Sequence, residues 1–125
     1  MEKTVALYLR VSTKHQDTPE GSLISQEQRL IEWYDYHNSQ AKHSKEKDPY
    51  SNYVIYKDVE TGTKASKRPS YNRMLADIKM GKIHTVAAAS ISRLNRNLRE
   101  FYELYDITQQ HNVDIFSQKE SFDTS

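Results

Sequence analysis

The chain contains no cysteine in its 125 residues, so disulfides and thiolate metal sites are excluded, and a reducing cytoplasm is compatible with it. No stretch approaches the roughly 18 consecutive apolar residues needed to cross a membrane. The start, Met1-Glu2-Lys3, runs straight into a short apolar segment of strand length and lacks the longer apolar region and cleavage site of a secretory leader. Neither GxxxxGK[ST] nor GxGxxG occurs, which excludes nucleotide-cofactor binding by those two devices. The five histidines are scattered at His15, His37, His43, His84 and His111 without ligand-like spacing, so no metal site is expected. A strong charge of one sign is also missing: 18 Lys+Arg stand against 17 Asp+Glu, net +1. A domain that grips nucleic acid unaided shows a clear basic excess, so any basic cluster here positions a phosphate rather than holding a duplex. No internal repeat and no low-complexity tract is present. What remains, 36% hydrophobic and 28% charged residues, suits one compact α/β domain with one core.

Period-two patterning opens the chain. Val5, Leu7, Leu9 and Val11 alternate with Ala6, Tyr8, Arg10 and Ser12, which marks a strand with Tyr8, Arg10 and Ser12 on the face opposite the apolar set. Residues 13–21 read as a polar loop, and a helix is expected from about Ser22, with Leu23, Leu30, Ile31 and Tyr34 near one face. Residues 41–51 read as a surface loop. Residues 53–59 (YVIYKDV) form a second strand, and residues 60–69 a loop with Gly62 and Pro69 as breakers. A helix over about 70–80 carries Tyr71, Met74, Leu75 and Ile78 at helical spacing and closes at Gly81. The small apolar run at 85–91 (TVAAASI) predicts a central strand buried on both faces. A helix follows over about 97–111 and a short strand over 113–116. Strands alternating with helices predict an α/β fold with a mostly parallel sheet of four to five strands and helices on both faces. Ligands sit at the carboxyl ends of the strands in such folds, where Ser12 and the segment 90–93 both fall.

Two sets of residues offer chemistry at that edge. Arg10 and Ser12, at i and i+2 on one strand face, present a hydroxyl nucleophile beside a positive charge for a developing oxyanion. Read alone, the pair equally describes an ordinary strand end where serine starts a turn. Arg93 and Arg96, three apart at an expected helix start, would join two guanidiniums to free backbone N–H groups and make a phosphate site. Read alone, they equally describe a solvated basic helix start. The loop KASKRP at 64–69 adds Arg68, which can fold over a bound phosphate or simply face solvent. The nine tyrosines read as packing residues rather than as a platform for stacking bases.

With these residues in hand, the chain resembles the resolvase/invertase family, the serine recombinases. The resemblance rests on YLRVSTKHQ at 8–16, SLISQ at 22–26, KDVETGTKASKRPSYNRML at 57–75, SRLNRN at 92–97 and ESFDTS at 120–125. Each segment is weak alone, and their order and spacing together are specific. The loop 17–21 and the wide gap before the second strand look more like the large serine integrases and transposon recombinases than the small resolvases. The resemblance implies a resolvase-like, flavodoxin-like sheet and a catalytic domain over 1–125. It further implies Ser12 as the nucleophile forming a 5′-phosphoserine link, with Arg10, Arg68, Arg93 and Arg96 on the scissile phosphate. Tyr8, Gln16, Gln26 and Ser92 match supporting positions. Many members carry aspartate where this chain has Ser92, which leaves the site more positive unless another carboxylate, such as Asp58, substitutes.

The resemblance also implies double-stranded DNA as substrate and neither metal nor other cofactor. Family members continue beyond this point into a long oligomerisation helix and DNA-binding domains, so a truncated piece is expected. The full-length protein, bacterial or phage-encoded, would work as a dimer or tetramer in the cytoplasm, and the isolated fragment would be monomeric or weakly associated. Three alternatives stand beside this reading. A serine transposase would use the same chemistry. A flavodoxin-like signalling or binding module would need an acidic cluster for Mg²⁺ where the first strand ends in Arg10 and Ser12. A catalytically dead DNA-associated domain is opposed by the intact serine and arginines. No histidine is evidently placed as general base, and an arginine is a poor one because it stays protonated.

Overall fold

The structure is a computed structural model that describes residues 2–12, 22–60 and 67–124, with the side chain of Ser12 outside that description. Among the described residues nine elements follow in order: β1 (Thr4–Ser12), α1 (Leu23–Ala41), β2 (Asn52–Glu60), α2 (Pro69–Lys79), β3 (Thr85–Ala88), α3 (Ile91–Leu94), α4 (Leu98–Gln110), β4 (Asp114–Ser117) and β5 (Phe122–Asp123). They build a five-stranded sheet of order β2-β1-β3-β4-β5. The pairs β1–β2, β1–β3 and β3–β4 are parallel, and β4–β5 is antiparallel. The expected α/β architecture with a mostly parallel sheet is therefore what the chain adopts.

Both faces of β1 are covered. Val5, Leu7 and Leu9 pack against Leu30 and Tyr34 of α1. Ala6 and Tyr8 face the other layer, with Tyr71, Met74 and Ile78 of α2 and Leu104 of α4. The alternation reads as one apolar and one polar face, yet Ala6 and Tyr8 are as fully buried as Leu7. A small alanine and a tyrosine with a hydrogen-bonded hydroxyl tolerate this, because β1 is flanked by β2 and β3 and has no solvent face.

Short polar signals set the element ends. The Ser22 side chain accepts from Ser25 N and starts α1, and the Asn97 side chain does the same for Glu100 N at α4, as N-caps do. Gly81, at φ 77, ends α2 in the left-handed conformation that glycine tolerates. Two sequence expectations change. The buried run is a strand only to Ala88, because the Ser90 side chain accepts from Arg93 N and turns the chain into the short α3. The antiparallel edge strand β5 had no sequence signal, being only two residues long.

The chain passes from β2 on one side of β1 to β3 on the other, so the direction of winding reverses between β1 and β3. That reversal opens a crevice at the carboxyl ends of these strands, the place where open parallel sheets bind ligands. Ser12 ends β1 at this edge, and its backbone pairs in register with Glu60, the last residue of β2.

Candidate active site

Arg10 gathers the site. Its backbone is clasped by Gln26 of α1, which is fully buried. The Gln26 amide donates to Arg10 O at 3.1 Å, and its Oε1 lies 3.4 Å from Arg10 N. A side chain that occupies both the carbonyl and the N–H of one residue fixes the strand end just before Ser12. The Arg10 guanidinium then crosses to the far side of the crevice. Nε donates to Arg93 O at 3.0 Å, Nη2 donates to Ser92 O, and Nη1 pairs with Glu60 Oε2 at 3.2 Å. Residues 10, 60 and 92–93 are thus held together by one fork of donors, whose planar geometry suits several acceptors at once.

Arg68 arrives from the start of α2 and is buried, at 4% exposure. Nη1 donates to Leu94 O at 3.2 Å, and Nη2 pairs closely with Glu100. Nε lies 3.9 Å from Glu60 Oε1, and the guanidinium sits 3.9 Å from the centre of the Tyr71 ring, a cation–π contact. Burial pulls its pKa down, and the neighbouring Tyr8 and Glu100 more than reverse this, leaving it above its ordinary value. Glu100 receives the Arg96 backbone N–H at 3.0 Å, and Arg96 Nε at 3.4 Å. Burial raises the Glu100 carboxyl, but the Arg96 N–H and the Arg68 charge outweigh it and hold the group below its usual range. An alternating ladder results: Arg10, Glu60, Arg68, Glu100, Arg96.

Arg93 lies beside this ladder rather than on it. Its pKa is lowered by burial first and then by the charges of Arg10 and Arg29. Arg93 and Arg96 do not share one helix start as expected. Arg93 is inside α3, and Asn95 then leaves helical geometry at φ −132, ψ 147, so Arg96 sits in the link to α4. Arg96 is brought to the ladder by this break and by Glu100, not by i, i+3 spacing.

The remaining expected residues have defined places. The Tyr8 hydroxyl donates to Asp58 Oδ2 at 2.8 Å, and burial first, then that carboxylate, raises its pKa. Asp58 does not pair with the arginines. It accepts from the backbone N–H groups of Ser70 at 3.0 Å and Tyr71 at 2.9 Å, capping α2 from outside. Ser92 Oγ meets Ser90 Oγ at 3.1 Å while its carbonyl serves Arg10. Gln16 and the loop 17–21 lie outside the described residues, as do residues 61–66 of the loop preceding Arg68. Glu60, Glu100, Asn95 and Tyr71 were not anticipated as site residues. Only Glu100 had a sequence signal, standing three residues after the Asn97 cap and four after Arg96. The carboxylates that pair with these arginines are Glu60 and Glu100, not Asp58. Among the described residues no group of three or more His, Asp and Glu side chains could hold a metal ion, and no helix is long and apolar enough to cross a membrane.

A cavity of about 510 Å³ borders the ladder between α2 and α4, and its lining includes Arg68, Arg96 and Glu100 together with Leu75, Leu104 and Ile107.

Comparison with known proteins bears on this arrangement. Residues 5–125 match the family described as Resolvase, N terminal domain. A resolvase family site-specific recombinase from Streptococcus pneumoniae superposes with a TM-score of 0.77 at 28% identity, over 98% of this chain and 76% of that one. The N-terminal catalytic domain of TP901-1 integrase gives 0.70 at 29% identity, over 98% and 82%. The C-terminal catalytic domain of ISC1926 TnpA, an IS607-like serine recombinase, gives 0.66 at 19% identity over 91% and 68%, a likeness of fold. No curated protein matches in sequence.

Proposed function

The chain belongs to the resolvase N-terminal domain family, the serine recombinases, and on that premise we propose that Ser12 is the nucleophile of site-specific DNA recombination, with Arg10, Arg68, Arg93 and Arg96 carrying the phosphate. The Ser12 hydroxyl attacks phosphorus. A P–Oγ bond forms as Oγ gives up its proton, the P–O3′ bond breaks, and the leaving oxygen takes up a proton to become a 3′-hydroxyl, so no net proton is gained or lost. Attack of a 3′-hydroxyl on the phosphoserine reverses the step and rejoins the strand, so the ester conserves the energy of the original bond.

One observation carries the assignment. Arg10, two residues before Ser12, is anchored to the carbonyls of Ser92 and Arg93 across the switch point, which supports the reading by tying the segment that carries Arg93 to the strand end that bears the serine. Phosphoryl transfer demands positioning and charge stabilisation above all, and guanidiniums supply both. Gln26 and Tyr8 support the site indirectly, one through the backbone of Arg10 and the other through Asp58. Ser92 contributes its carbonyl to Arg10. Gln16 belongs to the same reading on the family pattern. His84 accepts from Thr4 N at the opposite end of β1, so it is no candidate for the general base. The substrate is double-stranded DNA, and we place the protein in the cytoplasm. There it would act as the catalytic domain, over 1–125, of a longer dimeric or tetrameric recombinase, with the isolated piece monomeric or weakly associated.

The test uses the full-length protein and duplexes cut from the DNA flanking its own coding sequence. Denaturing gels and mass spectrometry are expected to show a covalent adduct at Ser12, absent in Ser12→Ala although that variant still binds the duplex. An adduct that survives Ser12→Ala places the nucleophile elsewhere.

A further inference from the structure

Two carboxylates face the arginines, and they are held differently. Glu100 is gripped by several donors: Arg68 Nη2, the Arg96 backbone N–H at 3.0 Å and the Asn95 amide at 3.3 Å. Glu60 has far less. Its Oε2 pairs with Arg10 Nη1 at 3.2 Å. Its Oε1 lies 3.9 Å from Arg68 Nε, an ion-pair distance too long for a hydrogen bond. That oxygen is buried and accepts no hydrogen bond among the described residues. A buried acceptor left unsatisfied is unfavourable, so this carboxylate is the weakly seated member of the ladder. It also stands at a telling position, since Glu60 is the register partner of Ser12 on the neighbouring strand.

We propose that Glu60 is a displaceable internal counter-ion: its carboxylate occupies the position between Arg10 and Arg68 that a DNA backbone phosphate takes, and the phosphate must drive it out. The proposal rests on reading Arg10 and Arg68 as phosphate ligands. A carboxylate and a phosphodiester each present two terminal oxygens to a guanidinium fork, so the two anions compete for one place. Without an anion there, Arg10 and Arg68 would face each other in a partly buried crevice already crowded by Arg93. Glu60 relieves that repulsion in the unoccupied site. Its incomplete hydrogen bonding keeps it from blocking a ligand that satisfies both forks. The arrangement raises the threshold for adventitious anions, which reach the arginines only by competing with a tethered carboxylate.

The probe is inorganic phosphate, titrated against the 125-residue chain at constant ionic strength while the arginine Nε–H resonances are followed. Glu60→Gln keeps the shape and removes the charge, and is expected to bind phosphate about fivefold more tightly than the wild type, the scale of a modest ion pair no longer competing. Glu60→Asp, one methylene shorter, is read alongside it and is expected to fall between the two. A gain in affinity is not something that misfolding or a merely structural role produces. Arg68→Ala serves as the companion measurement. If it loses phosphate binding while Glu60→Gln and Glu60→Asp bind no more tightly than wild type, the arginine site stands and the role of Glu60 is overturned. If Arg68→Ala binds phosphate as well as wild type does, the site reading fails and the counter-ion proposal goes with it.

Discussion

Arg68 shows how much one side chain is asked to do here. Its donors reach Leu94 O, Glu100 and the neighbourhood of Glu60, and its plane lies over Tyr71. Lysine offers a point charge on a flexible stem, with neither the fork nor the flat face. Arg68→Lys is therefore expected to reduce single-turnover DNA cleavage by the full-length protein by about 10²–10³, the range found when one preorganised donor to a developing oxyanion is lost. It is also expected to destabilise the fold by about 1–3 kcal/mol through buried acceptors left unpaired. Cleavage kinetics and thermal unfolding measured on the same preparation check both. A variant with wild-type cleavage would remove Arg68 from the phosphate site. The residue type was legible in the sequence as part of KASKRP, but its burial was not. A basic loop residue ordinarily faces solvent, and only the partners supplied by α3 and α4 make its burial tolerable.

At the scale of elements, α2 depends on a residue that is not in it. Arg68 at its N-cap makes no side-chain capping bond, and Pro69 begins the helix. Asp58 of β2 takes over, accepting from Ser70 N, Tyr71 N and the Tyr8 hydroxyl. Asp58→Ala removes that acceptor and leaves a buried tyrosine hydroxyl unsatisfied. A loss of about 3 kcal/mol is expected from the cap and the charge-assisted bonds together, read as a lower denaturation midpoint at unchanged slope. An unchanged midpoint would mean that water replaces the carboxylate without penalty. What the sequence reveals at this scale follows from where the determinants lie. The alternation in β1, the helical spacing of Tyr71, Met74 and Ile78, and Gly81 closing α2 are all local, and each was readable. Asp58 acts across strand and helix, so nothing near it in sequence announced its cap, and it was open to misreading as a partner for the arginines. The short α3 escaped because its cap, Ser90, stands in a run of small residues that also suits a strand. The break at Asn95 then put Arg93 and Arg96 on different segments.

For the whole molecule, charge decides behaviour in two ways. The first concerns acid. Glu100 titrates below its ordinary value of 4.5, so the folded state favours its charged form more than the unfolded chain does. The corresponding stability is present above the unfolded value and is lost as pH falls through 4.5 toward the folded value. Glu100→Gln is expected to flatten the acid limb of the stability curve in that window while lowering stability at neutral pH, where Arg68 loses its closest anion. Urea unfolding at a series of pH values from neutral downward checks this, and an acid limb as steep as that of the wild type would assign the proton uptake to other carboxylates.

The second concerns DNA. The net charge of +1 is small, and of the proposed phosphate ligands Arg10, Arg68, Arg93 and Arg96, three are partly neutralised by Glu60 and Glu100. Affinity for duplex grows with the number of phosphates neutralised, at about −0.9 in log affinity per log salt for each. If these four arginines are the cations that meet phosphate, the 125-residue chain is expected to show a slope no steeper than about −4, and a dissociation constant no tighter than about 1 μM at physiological salt, within the non-specific range. Fluorescence anisotropy of a labelled duplex across a salt series measures both. A steeper slope or nanomolar binding would require a further basic surface on this domain. Values in the expected range would instead fit a role limited to chemistry at a phosphate held by other means, and a site in which Arg10, Arg68 and Arg96 are already paired with Glu60 and Glu100 suits that role, because it engages fully only when a phosphate arrives in register.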